Sequence, residues 1–423
     1  MTSFRFLHAA DIHLDSPLTG LANVEGHVAE RIRTAPRAAF GALVQRAIDD
    51  DVDFVVIAGD LYDGTWRDYN TGLFFAEQMG LLRQANVPVF VLHGNHDAES
   101  QITRPLKLPD NVRVFRARNA ETFELEKLNV KLHGQSFREK AVTDNLVPDY
   151  PAPVDGAFNI GVLHTALGGM GEHANYAPCS LPELVAKGYN YWALGHVHQG
   201  QLLNERPHVV FPGNLQGRHV RETGPKGACL VTVDGGEVAD VATLAFDVVR
   251  WAVLDVDVVH AGSSADVVDL MRGALEKASA DSDGRLLAAR IELTGRTSLH
   301  SQLVTDIETF TAEARSAALG LGDEVTWVEK VAVKTTPPAD AAALAAREDT
   351  LGDLQRMLKE AAADDELIEQ LKADIGELVS KMPHEVREGS EDEILGAALA
   401  RDYGALIERV TPYLNARLTV EES

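Results

Sequence analysis

The chain has 423 residues, 45% hydrophobic and 24% charged, an ordinary globular mixture that excludes wholesale disorder and is long enough for more than one domain. A formal net charge of −25, spread over the length, excludes a broad basic DNA-binding face of the chain's own. Cys179 and Cys229 make no disulfide framework, the N-terminus lacks a signal-peptide layout, and no apolar run approaches the roughly 18 residues of a bilayer span, so a cytoplasmic, membrane-free chain is expected.

In chain order, Phe4–His8, Phe54–Ala58, Val89–Leu92, Ile160–His164 and Tyr191–Leu194 read as buried strands. Between them, Arg31–Asp50 and Tyr69–Gln84 carry helical apolar spacing. That alternation predicts an α/β layered domain, a sandwich of mixed sheets flanked by helices, over 1–245. A second unit at 246–336 reads as a small α/β domain. Its strands fall at Arg250–Val258, Leu286–Leu293 and Glu324–Lys334, and its helices at Ser264–Lys277 and Leu303–Ala318. Pro337 and Pro338 then break the chain. The remainder, 337–423, reads as a helical segment with Leu344, Leu351, Leu354, Leu358, Leu371, Ile375 and Leu378 at three- and four-residue steps or their sums. Such a stripe closes a helical hairpin or docks on a partner's helices, and the spacing does not choose.

Polar groups able to bind metal follow the predicted strands one after another. Asp11 and His13 follow the first, Gly59-Asp60 the second, and Gly94-Asn95-His96-Asp97 the third. His164 ends the fourth, and Gly195-His196-Val197-His198 follows the fifth. Ligands gather outside the carboxyl ends of strands in open α/β sheets, so these groups are delivered to one rim. Residues two apart on extended backbone point to the same side, as Asp11 and His13 do, and His196 and His198. Carboxylate, amide and imidazole donors without thiolates suit manganese, zinc or iron. Each short string is weak evidence alone; the ordered set, each at a strand end, is strong.

This ordered set resembles the calcineurin-like metallophosphoesterases over residues 3 to about 220. The strings AADIHLDSPL, AGDLYDGTWRDYNTGLFF and FPGNLQGRHVRETGPKG resemble more closely the SbcD-type nucleases, and within them the YhaO-like branch of DNA repair exonucleases. The resemblance implies two divalent ions, Mn2+ foremost. Asp11, His13 and His198 would hold the first, Asn95, His164 and His196 the second, with Asp60 between them and His96 as the acid. It also implies a capping domain at 246–336 and a helical segment at 337–423 that engages an SMC-like ATPase. Asp63 and Asp97 read equally as orienting groups or plain turn carboxylates; the eukaryotic and archaeal members carry histidine where Asp63 stands, so the resemblance carries no further catalytic role to it.

In-line hydrolysis of a phosphodiester between two divalent ions is the reaction these residues support. Long DNA also needs cationic contacts to its backbone. Arg218, Arg221 and Lys226 are the local candidates, with Arg67 and Arg104 behind them, and ordinary surface cations are the alternative for each. Most duplex-binding surface is therefore expected from a partner or a homodimer. His93 and His219 stand near enough to the motifs to support ligands from behind, and Gly168-Gly169-Met170-Gly171 reads as a loop near the site. The leading expectation is a metal-dependent DNA exonuclease subunit. A phosphodiesterase for small nucleotides or cyclic nucleotides is one rival, and a structural adaptor with a degraded site is the other.

Overall fold

The computed structural model describes residues 3–16, 26–63, 69–99, 107–168, 176–322, 324–338, 350–361, 364–382 and 393–420. The chain divides into two compact units, Met1–Trp251 and Ala252–Ser423.

In the first unit β1 (Phe4–Ala9), α1 (Gly26–Asp49), β2 (Phe54–Ala58), α2 (Tyr69–Gln84), β3 (Val89–Leu92), α3 (Asn95–Glu99) and β4 (Val112–Val114) come first. They are followed by β5 (Glu121–Leu125), β6 (Val130–Gly134), β7 (Phe158–His164), α4 (Leu181–Ala186) and β8 (Tyr191–Gly195). The unit closes with β9 (Gln201–Glu205), β10 (His208–Phe211), β11 (Gly227–Asp234) and β12 (Glu237–Ala245). Two six-stranded mixed sheets result, ordered β12-β11-β1-β2-β3-β4 and β5-β6-β7-β8-β10-β9. Strands β1 to β4 are parallel neighbours, as are β6, β7 and β8.

A strand covered on both faces has no use for alternation, which is why β2 (FVVIA) and β7 (FNIGVLH) are buried at every position. The faces of the two sheets share one core, with Phe4, Phe6, Phe54 and Phe90 meeting Phe158, Ile160, Val162 and Tyr191. Phe6 stacks on Phe54 at 4.8 Å, and the edge of Tyr191 meets Phe6 at 5.3 Å. Helices α1 and α2 cover the first sheet through Phe40, Leu43, Phe75, Met79 and Leu82. Leu184 of α4 and Trp192 belong to the cluster on the second sheet's outer face. Ser180 caps α4, its side chain bonded to Glu183 N while the Glu183 carboxylate takes the Ser180 amide. These are mixed α/β sheets flanked by helices, the layered sandwich the sequence predicts. Strands β5 and β12, absent from the sequence pattern, are half-exposed and offer no continuous apolar run.

Strand β13 (Val249–Asp257) runs across the boundary between the units and forms a three-stranded sheet with β14 (Leu286–Thr294) and β15 (Thr326–Val333), ordered β13-β14-β15. Helix α5 (Ser264–Ala280) packs Val267, Met271 and Leu275 on it, and Ser263 caps that helix. The helix expected at Leu303–Ala318 is two, α6 (His300–Thr305) and α7 (Ile307–Leu321), broken at Asp306, which leaves helical geometry at φ −105°. Further along lie α8 (Thr350–Ala361), α9 (Asp365–Lys381), α10 (Glu393–Ala400) and α11 (Tyr403–Val420). Leu371 and Ile375 of the apolar stripe pack against Ala397, Ala398, Tyr403 and Leu406, whereas Leu378 is 59% exposed. Leu344 lies outside the described residues, and the side chains of Leu351, Leu354 and Leu358 do too. Among the described residues no helix is long and apolar enough to cross a membrane.

Candidate metal centre

The strand ends need unusual backbone to bring their side chains together. Asp11, His13, Asp60 and His196 all have positive φ, at 50°, 46°, 51° and 102°. For residues carrying a Cβ this costs about 1–3 kcal/mol each and persists only where the surroundings impose it. Here hydrogen bonds impose it. Asp11 N donates to Gly59 O at 3.0 Å, His13 N to Asp60 O at 3.0 Å and Leu14 N to Leu61 O at 2.9 Å, zipping the turn after β1 to the turn after β2. Asp97 ties the third turn in, its carboxylate accepting from Leu61 N, Tyr62 N and Gly94 N at 3.1, 2.9 and 3.0 Å. Glycine is obligatory at three of these strand ends, at Gly195 because a Cβ would lie 2.0 Å from Ala58 O. A Cβ on Gly59, itself at φ 102°, would lie 2.2 Å from His164 Nδ1, and one on Gly94 would lie 2.3 Å from Asp60 Oδ1.

Three groups of donors form on this scaffold: Asp11, His13 and His198; His13, Asp60 and His96; and Asp60, His164 and His196, the ligand atoms of each lying within 4.8 Å of one another. Asn95 joins the last, its Oδ1 3.0 Å from His164 Nε2. Asp60 belongs to two of the groups; its Oδ2 stands 3.4 Å from His164 Nε2 and 3.9 Å from His13 Nε2. Its Oδ1 accepts from His96 N at 3.0 Å. The His196 amide is bound by both oxygens of Asp11, at 3.1 and 2.9 Å. Asp11, His13 and Asp60 come from the first sheet and His164, His196 and His198 from the second, so the first and last groups each straddle the sandwich.

The donors fit a cation. His164 donates Nδ1–H to Ala58 O at 3.0 Å, which leaves its Nε2 lone pair facing Asn95 and Asp60. His13 and His198 set their Nε2 atoms 3.2 Å apart, and His13 Nδ1 is buried without a hydrogen-bond partner. Acceptors aimed at acceptors in a buried place repel unless a proton or metal ion lies among them. In the bare chain a proton takes that part. Burial opposes a charge on His164, yet Asp60 beside it pushes the imidazolium up to about 9. Burial likewise opposes ionisation of Asp60, but the His164 charge and hydrogen bond hold it well below the usual carboxylate range. Burial pushes Asp11 up to about 6 and holds His13 well below an ordinary histidine. Nitrogen and oxygen donors around two buried carboxylates match divalent ions such as manganese, zinc or iron.

His96 stands at the rim, 31% exposed, with Nδ1 2.8 Å from Asp63 Oδ1. Burial works against its charge, but the Asp63 hydrogen bond wins and raises its pKa above that of an ordinary histidine. Asp63 is therefore not a plain turn carboxylate. Ser16 Oγ donates to it at 2.6 Å and Arg218 Nη1 lies 3.7 Å away. Burial raises the Asp63 pKa and the His96 and Ser16 bonds outweigh it, so the group is held ionised. Asp97, in contrast, is the buried knot of the backbone turns.

Of the predicted substrate cations, Arg218 reaches the site, Arg221 is exposed on the same loop, and Lys226 does neither. Lys226 is 6% exposed and donates Nζ to the His198 carbonyl at 3.1 Å, so its ammonium faces the protein, and its expected contact with DNA is corrected. Arg67, Arg104, Gly169, Met170 and Gly171 lie outside the described residues. His93 lies behind the third turn, with its amide bonded to Ser136 Oγ, and His219 Nε2 is 3.7 Å from Glu222. Sequence reasoning missed Glu222, the buried carboxylate beneath His198, and Tyr176, whose ring meets His196 edge-on at 5.5 Å. The signal for Glu222 is the single acidic residue within the largely basic and polar string GRHVRETG.

Layered sheets and a rim of imidazoles around buried carboxylates define the metallophosphoesterase class. A family model described as calcineurin-like phosphoesterase matches residues 4–200, and one described as the middle domain of metallophosphoesterase YhaO matches residues 251–336. Metallophosphoesterase YhaO of Bacillus subtilis is 35% identical over 281 residues, 66% of this chain and 69% of that protein. The DNA double-strand break repair protein Mre11 of Archaeoglobus fulgidus is 24% identical over 247 residues, 52% of this chain and 51% of its own. That of Methanopyrus kandleri is 27% identical over 216 residues, 46% and 44% of the two chains. The chain thus spans about half the length of these archaeal relatives or less. It belongs to the calcineurin-like metallophosphoesterase family, on its YhaO branch, and is a phosphoesterase of the kind that uses a dimetal centre.

Proposed function

We propose that the chain hydrolyses DNA phosphodiester bonds as the nuclease subunit of a repair complex. The observation that carries this is the pairing of His96 with Asp63 beside the donor groups, with Arg218 against the same carboxylate. Two divalent ions, manganese in this reading, would be held by Asp11, His13 and His198 and by Asn95, His164 and His196, with Asp60 shared, and would supply Lewis-acid charge to the phosphoryl oxygens. The chain's own residues do the rest. His96, its Nδ1 held by Asp63, presents Nε2–H toward the leaving side and gives that proton to the departing ester oxygen as water's oxygen bonds to phosphorus and the P–O ester bond breaks. The proton shed by the water passes to solvent, from which His96 is reprotonated. The Arg218 guanidinium neutralises a phosphate oxygen. Repair is suggested by the names of the Mre11 relatives. The net charge of −25 and the inward turn of Lys226 support a partner that carries most of the duplex. In this reading the partner is an SMC-like ATPase or a second copy of the chain. The exposed Leu378 and Leu414 of α9 and α11 support an ATPase-docking role for the helical segment at 337–423.

The test is a digest of end-labelled single- and double-stranded DNA with manganese, comparing wild type with His96→Ala. Wild type should degrade DNA, and the variant should lose hydrolysis while keeping about two ions per chain, the number this family's centre holds. Loss of metal in the variant would make His96 a ligand, which its place in the His13–Asp60 group allows. Turnover of a chromogenic diester with no action on any DNA would favour a small-nucleotide substrate.

A further inference from the structure

Glu222 sits between the donor groups and the loop that carries Arg218, and both of its oxygens are engaged. Oε1 accepts from His198 Nδ1 at 2.6 Å, and Oε2 accepts from Asn214 Nδ2 at 2.9 Å and from the Arg218 amide at 2.7 Å. It is 8% exposed. His198 is gripped from the other end as well, its carbonyl accepting from Lys226 Nζ at 3.1 Å and Asn214 N at 3.3 Å. With Nδ1–H committed to Glu222, Nε2 of His198 is the atom that faces Asp11 Oδ1 at 3.9 Å and His13 Nε2 at 3.2 Å.

We propose that Glu222 is a positioning residue that fixes His198 as an Nε2 donor to the first metal ion and, through the Arg218 amide, sets Arg218 beside Asp63. The inference rests on the dimetal reading of the site. A carboxylate on the far nitrogen of a ligating histidine fixes its tautomer and ring orientation and raises its basicity. A glutamine cannot replace it although the shape is the same. If the amide oxygen faces His198, the amide NH2 meets two further donors, Asn214 Nδ2 and Arg218 N. If the NH2 faces His198, the ring must give up its Nδ1 proton and protonate Nε2, which removes the lone pair from the metal side.

Manganese titration of the full chain, wild type and Glu222→Gln, by calorimetry and elemental analysis tests this. Wild type should hold two ions; the variant should keep one near wild-type affinity and bind the other about 10–100-fold more weakly. Its turnover of a chromogenic diester should recover as manganese is raised, while KM stays elevated through the displaced Arg218. Two ions bound by the variant at wild-type affinity overturn the role of Glu222. A wild type that binds no divalent ion overturns the metal-centre reading itself, which separates the two failures. Should the variant not fold by circular dichroism, nitrogen-15 spectra of zinc-loaded wild type decide: a proton on His198 Nδ1 supports the role, and a proton on Nε2 overturns it.

Discussion

Replacing Asp63 by asparagine separates the charge behind His96 from its placement. The carboxylate and imidazole are 2.8 Å apart and mostly shielded, at 18% and 31% exposure. An asparagine oxygen still accepts from His96 Nδ1, and its amide can turn toward Ser16 Oγ, so the ring keeps its place while the bond loses its charge. A hydrogen bond to a charged group is worth about 1.5–3 kcal/mol and a neutral one about 0.5–1.5, a difference of about 1.2 kcal/mol. That corresponds to just under tenfold in an equilibrium constant. The sign follows from the role. The acid works only while protonated, and Asp63 raises the pKa, so removing the charge moves the alkaline fall of kcat to lower pH. Asp63→Ala, which also frees the ring, should lose more, and His96→Ala up to the roughly 10²–10⁴-fold typical of a general acid. The assay compares a nitrophenyl diester with an alkyl diester or DNA. Nitrophenolate departs without a proton, so its hydrolysis should hardly change. Equal losses for both leaving groups, or an unmoved alkaline limb, would refute the acid role.

Gly94→Ala drives a methyl to within 2.3 Å of Asp60 Oδ1 and 2.9 Å of His164 Cε1, both fixed from several sides. It should lower stability by about 1–3 kcal/mol and reduce bound manganese, as a thermal melt and elemental analysis would show; normal metal content would mean that the turn yields more than its bonds suggest. His8 is wholly buried between Tyr191 OH and the Leu194 carbonyl, and burial pushes its pKa down to about 3. A depressed histidine contributes stability that is complete above its unfolded value and lost as pH falls toward the folded one. Urea melts should therefore show wild type losing about 2 kcal/mol more than His8→Gln between roughly pH 7 and pH 5, and equal slopes would show that His8 titrates freely.

The sheet ends that carry the site were legible in the sequence because parallel, doubly covered strands announce themselves as unbroken apolar runs. Gly59, Gly94 and Gly195 then marked where each run turned. The donors themselves were legible for the same reason, since each lies within a few residues of a strand's last apolar position. What stayed hidden depends on contacts between distant segments. Asp63 stays open in the sequence between an orienting group and a turn carboxylate because nothing local shows that Ser16, His96 and Arg218 close on it. Glu222 offers only its charge within GRHVRETG, its partner His198 lying beyond two strands and a loop. Lys226 was misjudged because a long side chain can fold inward to cap a carbonyl, a choice that composition does not reveal. The break at Asp306 was missed because the helical spacing on its two sides continues almost in phase.

That the first and last donor groups each draw on both sheets has a consequence for the protein's life without metal. An ion bound there would act as a clasp on that rim of the sandwich, and its binding energy would add to the free energy that keeps the two layers closed. A depleted chain would keep its interior of aromatic rings, and its rim would be held only by hydrogen bonds such as those of the His196 amide to Asp11 and of His164 to Ala58 O. Starvation for the ion would then register first as a loosened mouth, open to proteases, before any change in the core.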